Sequence, residues 1–449
     1  MSKEQSFLHG PILSSLLRFA GPVLLALCLQ AAYGAVDLLV VGQFGTAADM
    51  SAVSTGSQIL HTITIVVTSF AMGVTVLIAR RIGEGRQQDA GKVIGASICL
   101  FAVIGVLVTL LQVIAAEGLS ALMHAPKEAF AKTAEYVRIC GGGSLFIVAY
   151  NLLGSVFRGM GDSKTPLLSV AIACVANIIG DLLLVAVFDM GAAGAAIATV
   201  AAQGISVVLC LWVIRRRGLP FPFEKAFIRW DKPILNSVVG LGTPIALQEL
   251  LVGISFLVIL TIVNSLGLTP SAGVGVAEKL CAFIMLVPSA FSQSLSAFAG
   301  QNMGARKPNR AQKAMALGMG TSFLCGIVMA LTVFLFGVEL SGIFTADLEV
   351  ARASADYLKA YAVDTMLVAF LFCFIGFFNG CGKTKFVMVQ GIVGAFCVRI
   401  PVSYLLSKLQ PVSLFRVGLA TPASTVVQIT LCVLYFVHLR KTFPMIDQE

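Results

Sequence analysis

Twelve long, nearly uninterrupted apolar stretches run through this chain, at residues 12–42, 53–79, 92–115, 134–156, 166–188, 191–214, 236–265, 272–300, 312–336, 355–378, 386–408 and 414–438. They limit the fold more than any other feature. A helix needs about 20 apolar residues to cross a bilayer, and every stretch is longer than that. In hydrocarbon the backbone must satisfy its own hydrogen bonds, so only helices and closed barrels span a membrane. The stretches are continuous rather than alternating, which selects helices. Composition agrees, with 58% hydrophobic and 12% charged residues, against about 25% charged in a typical soluble domain. Little sequence remains outside the stretches, so no soluble catalytic domain is expected. The first stretch is too long for a signal-peptide core, has a single Lys before it and no small-residue cleavage site, and is expected to stay in the protein.

The twelve stretches fall into two sets of six, because the chain repeats itself at a spacing of about 221 residues. Phe157-Arg158-Gly159-Met160-Gly161-Asp162-Ser163-Lys164 returns as Phe378-Asn379-Gly380-Cys381-Gly382-Lys383-Thr384-Lys385, and Ala134-Glu135-Tyr136 as Ala355-Asp356-Tyr357. With one gap, Gly21-Pro22 matches Thr243-Pro244 and Ala198-Thr199 matches Ala420-Thr421. Duplicated hydrophobic halves are the architecture of alternating-access transporters. The fold expected is an all-α membrane protein of about twelve transmembrane helices in two pseudo-symmetric six-helix bundles. The first lobe is expected at 1–214 and the second at 236–449. Residues 215–235 carry Arg215-Arg216-Arg217-Gly218, Pro220, Pro222 and Trp230-Asp231-Lys232. They read as a cytoplasmic connector with room for an interfacial helix.

Lys and Arg concentrate in the loops after spans 2, 4, 6, 8 and 10: Arg80, Arg81, Arg86, Lys92, Arg158, Lys164, Arg215–Arg217, Arg306, Lys307, Arg310, Lys313, Lys383 and Lys385. The opposite loops are poorer. The positive-inside rule then places both termini in the cytoplasm of a multi-pass protein of the cell membrane. The net charge of +9 is this topology signal. Basic residues scattered over many loops without interleaved aromatics do not form a nucleic-acid surface.

Several strings imitate enzyme motifs. Gly159-Met160-Gly161-Asp162 spells a GxGD, but it lies in a basic loop and its repeat partner has Lys383 in place of the Asp. Gly382-Lys383-Thr384 resembles the end of a P-loop, yet the required upstream Gly is Phe377. The four histidines are dispersed. Cys99, Cys174, Cys210, Cys325 and Cys432 sit singly on apolar helices and read as small buried hydrophobes. No enzymatic activity, cofactor or structural metal is expected.

The informative residues are the ionisable groups inside spans, where a carboxylate costs about 2.5–3.5 kcal/mol at the bilayer centre and marks a functional site by default. Asp37 lies in span 1, on one helical stripe with Gln30 and Tyr33. Asp181 lies in span 5, four residues after Asn177 and on the same face. Two carboxylates, an amide and hydroxyls could bind H⁺ or Na⁺, since oxygen-rich ligation suits a hard ion. The second half has Glu249 in span 7, Glu278-Lys279 in span 8, Asp364 in span 10 and Arg399 in span 11. An ion pair between Arg399 and one acid is expected, as is a self-compensating Glu278-Lys279 pair.

With these residues in view, the chain resembles the multidrug and toxic compound extrusion (MATE) transporters over nearly its whole length. The resemblance is carried by Pro22, Asp37 and Gly42 in span 1, by Arg158–Lys164 after span 4, by Asn177-Ile178-Ile179-Gly180-Asp181 in span 5, and by Gly191-Ala192-Ala193-Gly194-Ala195-Ala196-Ile197-Ala198-Thr199 in span 6. It implies two bundles around a central cavity, rocking between outward and inward states. It also implies export of organic cations or amphiphiles in exchange for inward H⁺ or Na⁺, by a monomer with no cofactor. The chain is most similar to the DinF-like branch. That similarity places the coupling ion at Asp37, Asn177, Asp181 and Thr199. Substrate-cavity roles fall on Gln30, Tyr33 and Asn151, with Gln248, Glu249, Glu278, Asp364 and Arg399 added from the second half. The NorM-like branch uses acids in spans 7 and 10; Glu249 and Asp364 each sit about one turn before the matching position.

Two other readings compete. A lipid-linked oligosaccharide flippase shares this general architecture but calls for a cationic cavity, whereas the first lobe's intramembrane charges are acidic apart from Arg18 near the cytoplasmic end. A non-transporting receptor or an intramembrane protease would not explain the duplication together with two intramembrane Asp residues.

Overall fold

A computed structural model describes residues 7–442. Among the described residues all regular structure is helical. Eleven helices are long and apolar enough to cross a membrane, and a bent pair makes a twelfth. In chain order the helices are α1 (Ile12–Phe44), α2 (Ala47–Gly83), α3 (Gln87–Ile114), α4 (Ala116–Leu122), α5 (Phe130–Gly142), α6 (Ser144–Met160), α7 (Lys164–Asp181), α8 (Gly191–Arg217), α9 (Lys232–Asn264), α10 (Leu268–Ile284), α11 (Leu286–Gly304), α12 (Pro308–Gly342), α13 (Leu348–Gly380), α14 (Thr384–Ile392), α15 (Ile400–Ser407), α16 (Leu414–Gly418) and α17 (Ala420–Thr442). Spans 5 and 11 each contain a π-helical turn, at Leu182–Val187 and Val393–Arg399.

The bent pair, α5 and α6, corresponds to the fourth apolar stretch and meets at 50°. Its break falls at Gly143, the last of three consecutive glycines. A Cβ there would enter the Val200 side chain on α8, so close packing and low helix propensity act at one point. The 215–235 connector holds a single 3₁₀ turn, Lys225–Phe227, rather than an interfacial helix. It lies flat on α3: the Pro222 and Phe227 carbonyls fill the space where Gly91 and Gly95 lack a Cβ, and Phe221 is buried.

The chain forms two compact units. One is Gly21–Ala246; the other comprises the residues up to Ala20 together with those from Leu247 onward. Both boundaries fall inside a helix, in α1 beside Pro22 and in α9 beside Pro244. Each proline removes one backbone hydrogen bond from its helix.

The first unit buries Val74, Ile78, Phe101, Val148, Val156 and Cys210 where α2, α3, α6 and α8 meet. A smaller cluster of Val41, Val53, Tyr136, Cys140, Val185 and Ala195 surrounds the C-terminal half of α1. The second unit buries Ile259, Val274, Ala330, Tyr357, Leu358 and Val417 around α13. Residues 7–9 are strapped onto that unit. Phe7 is buried against Phe19 and Phe298. Arg310 donates to the Phe7 and His9 carbonyls at 2.9 and 3.0 Å, and Asn302 donates to the Phe7 carbonyl at 3.1 Å.

The two halves repeat bonds as well as sequence. Thr75 Oγ1 donates to the Ser155 carbonyl at 3.1 Å, and Ser296 Oγ donates to the Gly376 carbonyl at 3.1 Å. These pairs stand 221 residues apart. Gly161 and Gly382 both take positive φ, 87° and 74°, where the repeated loop leaves its helix. Asp162, the acid of the GxGD string, accepts from the backbone N–H groups of Lys164 and Thr165 at 2.9 and 3.0 Å. It is a cap for the start of α7, satisfying donors that helix geometry leaves unpaired.

Candidate functional site

Three helices of the first unit, α1, α7 and α8, bring the acidic residues of spans 1 and 5 together. Asp37 projects from α1 and is 5% exposed; Asn177 and Asp181, one turn apart on α7, are 1% and 0% exposed. Thr199 on α8 donates to Asp37 Oδ2 at 3.3 Å. The side chains facing Asp37 are Asp181, Thr199 and Asn177, and the one facing Asp181 is Asp37. No basic group is among them. The sequence-expected set Asp37, Asn177, Asp181 and Thr199 therefore forms one cluster.

Local sequence explains the convergence. Gly180, beside Asp181, lets α8 approach so closely that an added Cβ would lie 2.9 Å from the Ala198 Cβ. The next residue on α8 is Thr199. The glycines and alanines of the run Gly191–Ala198 supply small side chains along the same seam, the usual means of close helix contact in membranes. The π turn begins directly after Asp181, and such turns recur at functional sites.

The defining property of the cluster is what its polar atoms lack. Asp37 Oδ1, both Asp181 carboxyl oxygens and both amide atoms of Asn177 are buried without a hydrogen-bond partner. Native interiors seldom leave such atoms unpaired, and two carboxylates cannot bond each other unless one carries a proton. The oxygen set fits either a proton shared between the carboxyls or a small hard cation held by carboxylate, amide and hydroxyl oxygens.

The polar stripe continues along α1. The Tyr33 hydroxyl accepts from Gln203 Nε2 at 3.3 Å, and Gln30 faces Tyr150. Asn151 Oδ1 accepts from Thr68 Oγ1 at 2.6 Å, while its Nδ2 donates to the Ile147 carbonyl. Gln203 was not singled out in the sequence reading. Its position four residues after Thr199, one helical turn away on the same face, was the available signal. Asp49 was missed as well. It is buried at the start of α2, with Lys132 Nζ 2.7 Å from its carboxylate. It also accepts from the backbone N–H groups of Thr46 and Ala192 at 3.1 Å, which ties the starts of α2 and α8 to α5.

In the second unit the expected residues form a looser group and two expectations fail. Glu249 is exposed, Gln248 is buried against Gly391, and Glu278 is half-buried. Asp364 on α13 and Arg399 on the π turn are buried, at 1% and 6% exposure. The expected Arg399–acid ion pair is not made: among the described residues no carboxylate lies within 4 Å of that guanidinium. Arg399 Nη1 instead donates to Ser255 Oγ at 3.1 Å, and the guanidinium stacks 4.4 Å from the Phe256 ring centre. Glu278 and Lys279 do not pair either, because adjacent helical residues point apart; Lys279 Nζ lies 5.9 Å from the Phe344 ring centre.

A duplicated twelve-span helical fold with uncompensated carboxyls inside one repeat defines a membrane transporter rather than an enzyme. The comparisons with known proteins make that specific. The MatE family model matches twice, at residues 22–183 and 244–405, once per repeat; the chain belongs to this family, the multidrug and toxic compound extrusion transporters. It is 28% identical to the probable multidrug resistance protein YpnP of Bacillus subtilis over 90% of this chain and 91% of that one. It is 22% identical to the probable multidrug resistance protein NorM of Thermotoga maritima, covering 95% and 92%. Among solved structures, the outward-facing conformation of a multidrug resistance MATE family transporter of the MOP superfamily matches with TM-score 0.92 at 20% identity, over 99% of this chain and all of that one.

Proposed function

We propose that this protein is a secondary antiporter that exports cationic or amphipathic organic compounds in exchange for inward H⁺ or Na⁺, bound at Asp37, Asn177, Asp181 and Thr199. The observation that carries the reading is the pair of buried carboxyls with no counter-charge and five polar atoms without partners. Such a cluster is costly when empty and charged, and stable when it holds a proton or a cation. The relatives' multidrug names support drug export, and the acidic first lobe is the feature assigned to the DinF-like branch.

The lobes on this reading are residues 1–214 and 236–449, alternating in access across the cell membrane, with Gln30, Tyr33 and Asn151 of the first and Gln248, Glu249, Glu278, Asp364 and Arg399 of the second as the substrate-contacting residues. Both termini lie on the cytoplasmic side, as the Lys and Arg distribution requires, and the monomer is the working unit. An ion and a cationic drug couple only if each favours a different state. A drug favours the ionised, ion-free cluster; an entering ion neutralises it and drives the return.

The test is ethidium efflux from proteoliposomes under imposed H⁺ or Na⁺ gradients. Asp37→Asn and Asp181→Asn, matched for protein level, are expected to lose gradient-driven efflux. Wild-type efflux in both would remove the assignment. The same assay separates the flippase reading, which predicts no ethidium efflux driven by either ion gradient.

A further inference from the structure

The bend in the fourth span leaves a groove on the surface of the first unit. Ile139 on α5 and Phe146 on α6 line it from either side of Gly143, and α8 faces them with Ile197, Gly204, Ile205 and Val208. The groove has a volume of about 510 Å³ and its walls are apolar. Ile197, Ile205 and Val208 are 37%, 38% and 64% exposed, so it opens outward at membrane depth. The α8 wall continues beyond it in register. Trp212 follows Val208 by four residues and Arg216 follows Trp212 by four, which puts all three on one helical stripe. Trp212 is exposed, and the Arg216 guanidinium lies 5.2 Å from its ring centre. Arg215, Arg216 and Arg217 are all exposed. Among the described residues no carboxylate lies within 4 Å of any of them.

We propose that the groove and Arg216 together seat one acidic phospholipid, its acyl chain lying over the bend and its phosphate at the guanidinium. The dimensions fit. From Ile197 to Val208 α8 rises about 16 Å at 1.5 Å per residue, the depth of one leaflet in a hydrocarbon core about 30 Å thick. Trp212 stands about 6 Å further along the helix and Arg216 about 12 Å further. Those are the places of an interfacial indole and of a lipid headgroup. Apolar walls alone would accept the chain of any lipid. The unpaired arginines select one with a net negative charge, as basic residues beside a span do. A guanidinium matches the oxygens of a phosphate with its planar fork, and stacking on Trp212 holds that fork in line with the groove. A chain seated there packs against both arms of the bend, a surface that the protein itself leaves uncovered.

The experiment uses the chain's own tryptophans. There are 2 in the sequence, so Trp230→Phe leaves Trp212 as the sole reporter in the full-length protein. Reconstituted into bilayers, its fluorescence is quenched by phosphatidylglycerol or phosphatidylcholine brominated on the acyl chains. Phosphatidylglycerol is expected to bind about fivefold more tightly, the effect of about one arginine at a lipid surface. Arg216→Gln should bring the ratio of the two lipids close to one. Arg217→Gln makes the same change in charge about 100° round the helix and should leave most of the preference. A Cβ at Gly204 meets nothing nearer than the Phe146 ring at 3.9 Å, so Gly204→Leu fills the groove without moving backbone and should also abolish the preference. Equal quenching by both lipids in the otherwise unaltered protein would mean an ordinary lipid shell and overturn the proposal. Equal losses in Arg216→Gln and Arg217→Gln would mean general surface charge, and an unchanged ratio in Gly204→Leu would mean a chain outside the groove; either overturns it too. The two arginine variants alter only an exposed helix end, so their comparison decides the matter should Gly204→Leu fail to fold.

Discussion

Gly180→Ala tests whether the helix seam sets the geometry of the acidic cluster. The new Cβ would stand 2.9 Å from the Ala198 Cβ, whereas carbon atoms sit best at about 3.5–4.0 Å. Both atoms are fixed to helical backbone, so neither can rotate away. The helices must separate by roughly 0.5–1 Å. Thr199, next to Ala198, holds Asp37 Oδ2 at 3.3 Å, already near the long end of a hydrogen bond; the added separation breaks it. Overpacking of this kind costs about 1–3 kcal/mol, while Gly→Ala in a helix returns about 1 kcal/mol of propensity. The net expectation is a loss of up to about 2 kcal/mol in stability. The lost hydrogen bond to a charged group, worth about 1.5 kcal/mol or more, is expected to weaken the proposed ion binding by about tenfold or more. The two effects are read by melting temperature in detergent and by the ion concentration that half-saturates efflux. Ala198→Gly removes the opposing Cβ and should restore both in the double variant. A Gly180→Ala protein as stable as wild type with unchanged ion dependence, or a double variant no better than the single, would refute the seam as the determinant.

Two further substitutions test the scaffold. Asp49→Ala should cost about 1–3 kcal/mol, mostly from the buried Ala192 N–H group left unpaired, since Thr46 is exposed, Lys132 is 41% exposed and its pairing is screened; the melting temperature should fall while Lys132→Ala alone lowers it much less. Arg310→Ala removes two of the bonds that hold residues 7–9, and limited proteolysis should cut the N-terminus at least several-fold faster than in wild type.

The spans were legible because a bilayer demands length and continuity, and each apolar stretch became a crossing. The acidic cluster was legible for a related reason. Charge is so costly in a span that Asp37 and Asp181 had to share a purpose, and the four-residue step from Asn177 fixed the face. What remained hidden depended on packing between distant segments. The 50° bend at Gly143 arises from Val200, fifty-seven residues away in the chain. Asp49 read as an ordinary residue near a helix start until α5 and α8 surrounded it. Arg399 was expected to pair with an acid because opposite charges in hydrocarbon attract, yet the Ser255 hydroxyl and the Phe256 ring hold it elsewhere. Sequence supplies the charges of such a group but not the competition for them.

The duplication separates what the scaffold must conserve from what coupling must break. The Thr75–Ser155 and Ser296–Gly376 bonds, the left-handed Gly161 and Gly382, and a π turn in each of spans 5 and 11 recur in both halves. They fix backbone against backbone, and a rigid unit needs them wherever it appears. The buried charges do not recur: Asp37, Asn177 and Asp181 align with Ile259, Val398 and Val402. If both units held a free acidic cluster, each would take up ions independently and a drug would have to displace both. On the proposed function, one pair of facing carboxyls makes one ion-binding event decide between states. On the proposed function the asymmetry follows from coupling itself: two copies of the fold give the moving parts, and the facing carboxyls of one copy give the direction.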